Sequence, residues 1–186
     1  LNPAIARVVA GGTINVAAGT YVENVSLTKA LTLNGANAGT AGDATRVAES
    51  IIDGNAVSAA VAIGADSVVL DGFKIKGGAN GLNAGVHIGS NSGYAVRNNI
   101  ITDNAMGIFA NSDGAAVIEH NWIDANNRPG ASGGAGIYGD AGDIDLTITD
   151  NKITGHTLNN PVIFAATAAT AHTGLVFSNN TLDNSY

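Results

Sequence analysis

No cysteine occurs among the 186 residues of this chain. It therefore has neither disulfides nor thiolate metal sites, and its redox compartment is unconstrained. Aromatic residues make up only 5%. Lys and Arg together number 8 against 15 acidic residues, a net charge of −7, which argues against nucleic acid and anionic membrane surfaces as partners. No apolar run approaches about 18 residues, so the sequence holds no membrane-spanning helix. There is no initiator Met and no signal sequence at Leu1, and the chain reads as a processed protein or a piece of something longer.

What is present is a small-residue and β-branched core composition, 45% hydrophobic, that fits a narrow, close-packed strand stack. It is arranged as a repeat. Copies of one unit run from Val69, Tyr94, Val117, Thr147 and Val176, with a looser copy from Leu31 to Ala36. Aligned, they give an inward column Leu70, Val96, Ile118, Ile148 and Phe177. A second column is Phe73, Asn99, Asn121, Asn151 and Asn180, and a third is Ile75, Ile101, Ile123, Ile153 and Leu182. The second column advances in steps of 26, 22, 30 and 29 residues, the spacing of solenoid coils that bury their apolar faces only by stacking. A recurrent inward Asn suits a parallel stack, since each amide can donate to one neighbouring rung and accept from the other.

Leu1 to Gly12 reads as a short helix with Asn2 as N-cap, Pro3 in the first turn, Ile5, Val8 and Val9 on one face and Gly11 as its stop. It would cover the open edge of the first rung. Thr13 to Asn34 alternates as three short strands with sharp corners, one coil. Here G-T-I-N-V-A-A-G-T-Y-V-E-N-V followed by L-T-L-N-G-A resembles the opening coil of right-handed parallel β-helix proteins of the pectin-lyase-like superfamily. The expected fold is an all-β, right-handed parallel β-helix (solenoid) of about six coils. Residues 1–12 would form the helical cap and residues 13–186 the β-helix, in a single domain.

Asn37 to Ser50 reads as a protruding loop, Asn126 to Ala135 as a second and Ala165 to Thr173 as a third. Tyr186 follows a strand unit directly, and such an uncapped edge is expected to continue into, or stack on, more protein. A further repeated strand places Val61, Val86, Ile108, Ile137 and Val162 inward, so Ala62, His87, Phe109, Tyr138 and Ile163 form an outward stripe. Stacked aromatics at about 4.8 Å spacing can lie against sugar rings, or pack under a loop. The resemblance implies the first use, because this face carries the cleft in many enzymes of the superfamily.

Asp71, Arg97 and Glu119 form an outward charge ladder, each exposed pair contributing at most about 1 kcal/mol. Trp122 stands outward between Ile100 and Lys152, where packing under a loop and ligand binding are both open. Asp140, Asp143 and Asp145 make an oxygen-rich stretch that could hold calcium or be ordinary turn aspartates. The resemblance extends to pectin methylesterases, which use glutamines beside paired aspartates, and this chain has no glutamine. It has no Asp-Asp pair for a polygalacturonase-like hydrolysis either. Only Arg128, Tyr138 and His156 could converge, around the loop at Asn126.

The functional expectation is a non-catalytic module of a bacterial extracellular or cell-surface, adhesin-like protein. It would present a face to glycans or to a protein through His87, Phe109, Tyr138, Arg128 and His156. The alternatives are a lyase or epimerase acting on an acidic polysaccharide through His87, Tyr138 and Arg128 or His156, and an architectural or engineered spacer. No cofactor beyond calcium is expected.

Overall fold

The computed structural model describes residues 1–79, 84–130, 132–166 and 170–183. Tyr186 and parts of the loops expected at 126–135 and 165–173 lie outside these. The strands assemble into three parallel sheets, two of seven strands and one of six. Each passage of the chain adds one strand to sheet A, one to sheet B and one to sheet C. Strands Val68–Asp71, Phe73–Lys76 and Ala84–Ile88 are one such passage. Sheet C's six strands count the coils that visit all three sheets.

The registers reproduce the repeat. Leu70, Val96 and Ile118 pair in successive strands of sheet A, Ile75, Ile101 and Ile123 in sheet B, and Val61, Val86 and Ile108 in sheet C. All nine are 0% exposed, because side chains at alternate positions of every strand enter one shared interior. In the last described rung Phe177 and Leu182 occupy the same inward columns but are 43% exposed.

The corner between sheets A and B explains why the rungs keep step. A left-handed residue precedes each inward amide: Asn98 (φ 56°), His120 (φ 54°), Asp150 (φ 54°) and Asn179 (φ 55°). That conformation turns the chain within one residue and is tolerated best by Asn, Asp and His after Gly. The next residue is the ladder Asn. Asn121 Nδ2 donates to Asn151 Oδ1 at 2.9 Å and to Val96 O at 2.9 Å. Its Oδ1 accepts from Asn99 N at 3.0 Å and Asn99 Nδ2 at 3.1 Å. The amide thus uses both donors and both lone pairs. Asn99, Asn151 and Asn180 continue the ladder, and below Asn99 the backbone N–H of Phe73 takes the last acceptor at 2.9 Å.

The segment between strands Leu31–Asn34 and Ser50–Asp53 does not protrude as expected. It lies along this corner as a strap, because the outward carbonyls of the turn need donors. Asn37 N donates to Gly72 O at 3.3 Å and Gly42 N to His120 O at 2.8 Å, while Arg46 Nη1 donates to Asn98 O at 2.7 Å. Arg46 is held in turn by Glu49 at 2.8 and 3.0 Å. A Cβ on Gly42 would lie 2.4 Å from both Asn99 O and Trp122 N, so only glycine lets the strap approach so closely. Asp71, at 4% exposure, joins the same construction. It accepts from Gly39 N, Asn98 Nδ2 and Arg97 Nε, each at 2.9 Å, and the Arg97–Glu119 contact of 3.9 Å completes the expected charge ladder.

The helix is shorter than expected, Asn2–Arg7, with Leu1 rather than Asn2 at its N-cap. Val9 is 74% exposed and outside its buried face, whereas Ile5, at 3%, enters the core. Asn2 is used differently. Its Oδ1 accepts from Ser26 N at 3.1 Å and its Nδ2 donates to Asn24 O at 2.8 Å. One side-chain amide therefore stands in for a missing rung beneath sheet C, which is how the helix covers that edge.

Asn121→Leu should lower unfolding free energy by about 3 kcal/mol, because it strands Asn99 N, Asn99 Nδ2 and Val96 O in the interior. Urea denaturation would show this as a lower midpoint at unchanged slope. A shift under about 0.5 kcal/mol, typical of surface changes, would mean that the ladder does not hold the stack.

Candidate functional site

The outward stripe lies on sheet C in the expected register. Ser26, Ala62 and His87 pair in turn, followed by Phe109, Tyr138 and Ile163. Side-chain size changes along it. The small residues of the first two rungs leave a hollow of about 360 Å³, lined by Asn24, Val25, Ser26, Ser58, Ala59, Ala62 and His87. No Asp, Glu, Lys or Arg lines it. Asn24 is oriented by its Nδ2 bond to Ala59 O at 2.8 Å.

His87 forms one end of the hollow and the aromatics rise behind it. The His87 and Phe109 rings meet edge to face, centroids 4.8 Å apart and 70° between planes. Phe109 and Tyr138 are tilted by 57° at 5.5 Å. These rings brace one another and do not form a flat platform. Phe109 is only 5% exposed and belongs to a small cluster with Ala84, Met106 and Ala135. Of the two readings of the stripe, packing is the one Phe109 follows.

His156 is not on this surface at all. It is 0% exposed, inside the coil at the corner between sheets B and C. There a second, shorter amide ladder runs through Asn104 and Asn126, three residues after Ile101 and Ile123. Asn104 Nδ2 donates to Asn126 Oδ1 at 2.8 Å and Gly78 N to Asn104 Oδ1 at 2.8 Å. Asn126 Nδ2 donates to Ile101 O at 3.0 Å. His156, three residues after Ile153, repeats that bond with Nε2 at 3.3 Å from Ile123 O. It is the rung where imidazole replaces amide. The signal was available in I-T-D-N, I-D-A-N and I-T-G-H.

Arg128 also leaves the expected group. It forms a bidentate pair with Asp103, Nε–Oδ1 2.8 Å and Nη2–Oδ2 2.7 Å. Its hydrogen bonds hold the Asp103 carboxyl below its usual range and raise the guanidinium's own pKa. Arg128, Tyr138 and His156 thus lie on a corner, a sheet face and the interior, and do not converge.

Asp140, Asp143 and Asp145 likewise point apart, and among the described residues no three His, Asp or Glu side chains gather as a metal site. Asp140 Oδ2 accepts from the Tyr138 hydroxyl at 3.3 Å, and Asp145, at φ 51°, is exposed. Asp143 turns inward to 0% exposure. Its N–H donates to His172 Nδ1 at 2.9 Å, while its Oδ2 lies 3.0 Å from the same nitrogen. Burial, outweighing the His172 contact, raises the Asp143 pKa.

With three parallel sheets, stacked inward amides and left-handed corners in hand, the profile of the family described as "Right handed beta helix region" matches residues 12–185. The chain belongs to the right-handed β-helix family. The coils of this β-helix are consistent with the pectin-lyase-like superfamily. Among curated proteins and among solved structures, nothing matches it. Among the described residues no helix is long and apolar enough to cross a membrane.

Burial holds the His156 imidazole below its usual pKa of 6.5. The unfolded chain protonates this group as pH falls through about 6.5, while the folded chain resists. The stability tied to neutral His156 is therefore present above that pH and is lost as pH falls toward the depressed folded value. Asp143 works in the opposite sense, since its raised pKa adds stability as pH falls toward the ordinary unfolded-chain value of 3.8. His156→Asn keeps a donor for Ile123 O and removes one titration. Its urea midpoint should fall less than that of the parent between about pH 7.5 and about pH 5.5. Asp143's share is common to both proteins, so an unchanged difference would remove His156 as the source.

Proposed function

We propose that this β-helix is a non-catalytic, glycan-presenting module of a bacterial extracellular or cell-surface protein, and that the hollow on sheet C receives a neutral saccharide unit. The observation that carries the reading is the hollow's lining. Asn24, Ser26 and Ser58 offer uncharged hydrogen-bonding groups, Ala62 offers apolar surface, and the His87 ring closes one end. That combination suits a ring bearing hydroxyls on one side and C–H groups on the other. An acidic polysaccharide substrate would need cations at the reacting sugar, and no Lys or Arg lines the hollow. The same lining disfavours the lyase or epimerase reading.

Ala62→Phe would fill the hollow from its floor and should weaken binding of a neutral oligosaccharide at least about tenfold, a loss of about 1.4 kcal/mol. The test is a glycan array of neutral and acidic polysaccharides, with and without calcium, that also follows unsaturated-uronate absorbance. Binding to neutral glycans that disappears in Ala62→Phe supports the proposal. Binding that survives the substitution, or absorbance that grows with time, overturns it.

A further inference from the structure

The outer face of sheet B, remote in chemistry from the hollow, carries one column in which Lys74, Ile100, Trp122 and Lys152 pair in successive strands. Trp122 is the chain's single tryptophan and Lys74 and Lys152 are two of its eight basic residues. The other cations are largely engaged. Arg46, Lys76, Arg97 and Arg128 form ion pairs with Glu49, Asp53, Asp71 and Asp103, and Lys29 donates to the helix carbonyls Ala6 O and Val8 O. Among the described residues no carboxylate pairs with Lys74 or Lys152. In a chain of net charge −7, two lysines without a carboxylate partner among the described residues thus share one outward column.

The centre of the column is rigid. Trp122 Nε1 donates to Thr154 Oγ1 at 3.0 Å, and Thr154 Oγ1 donates to Asp124 Oδ1 at 2.8 Å. Lys152 Nζ sits 5.4 Å from the indole centroid, so the ring also positions one of the two charges. A fixed Trp beside an aliphatic residue, flanked by charges, has the anatomy of a peptide-binding hot spot with a polar rim.

The spacing selects an occupant. Three rung steps separate Lys74 from Lys152, about 14 Å, and an extended peptide rises about 3.4 Å per residue, so four residues span the same distance. Side chains at alternate positions of that peptide face the sheet. Acidic residues at i and i+4 would meet the two ammoniums, and the residue at i+2, about 7 Å along, would fall between Ile100 and Trp122.

We propose that this column binds an extended acidic segment of a partner protein, of pattern acidic–x–apolar–x–acidic, lying along the stack axis. The single indole gives a direct readout: the Trp122 Nε1–H cross-peak in a ¹⁵N correlation spectrum. The probe is a blocked peptide, Glu-Ser-Leu-Ser-Glu, with three controls: the Lys-Ser-Leu-Ser-Lys version, a Glu-Glu-Leu-Ser-Ser version and polygalacturonate. The expected result is a saturable shift with the first peptide alone. Lys74→Ala and Lys152→Ala should each weaken it about two- to fivefold, while Ala62→Phe on sheet C leaves it unchanged. The remaining cross-peaks report that each variant is folded. No shift at millimolar peptide, equal shifts with the rearranged peptide, or affinity unmoved by Lys74→Ala would overturn the proposal. A stronger response to polygalacturonate than to the peptide would also overturn it, in favour of an acidic glycan.

Discussion

A primary amide inside a protein is costly unless both its donors and both its acceptor positions are used, and the rest of this structure follows from meeting that condition. Asn121 meets it only because Asn99 and Asn151 lie one rung below and above it. Slipping any strand of sheet A or B by one residue would turn its apolar set outward and strand an amide at the same time. The ladder therefore specifies register as well as stability. The left-handed residue before each amide, from Asn98 to Asn179, is its geometric partner, since it swings the amide inward. The strap from Asn37 to Glu49 follows from the same corner, because the turn leaves the carbonyls of Gly72, Asn98 and His120 facing out.

The inward columns were legible because they are periodic. Val96, Asn99 and Ile101 recur with the same internal spacing in each copy, and spacing within a copy is local information. The second ladder has the same property, yet it was missed because one of its members is His156, and an alignment that seeks like residues passes over a column in which amide gives way to imidazole. What could not be read is whatever depends on the path of a loop. Arg128 finds Asp103 from the previous coil, and nothing in R-P-G states where that turn returns. Strand alternation points Phe109 outward correctly, but its burial depends on His87 and Tyr138 leaning against it from the neighbouring rungs. The three aspartates around Asp143 failed as a ligand set for the same reason: adjacency in sequence does not determine which way a corner residue turns, and Asp145 in its left-handed conformation breaks the alternation.

Because the interior is committed to stacking, chemical variety is confined to the outward positions, and the three sheets use it differently. On sheet A, Asp71, Arg97 and Glu119 neutralise one another and tie down the strap. Sheet C has no Asp, Glu, Lys or Arg where it is hollow and stacks aromatic rings from His87 onward. Sheet B carries two lysines, without a carboxylate partner among the described residues, beside the chain's single tryptophan. One scaffold thus separates a concave surface from one that carries lysines and an indole without altering its core.

This separation also decides what substitutions can reveal. A residue such as Phe109 or Asp71 serves both the surface and the packing beneath it, so its loss would confound binding with stability. Ala62 and Lys74 do not. Each faces outward from a strand whose backbone bonds are made to the rungs on either side, and neither anchors a loop. A change at either position alters the surface while leaving the amide ladder intact. The two faces can therefore be altered one at a time, and a ligand that responded to both changes equally would have to act through the stack itself.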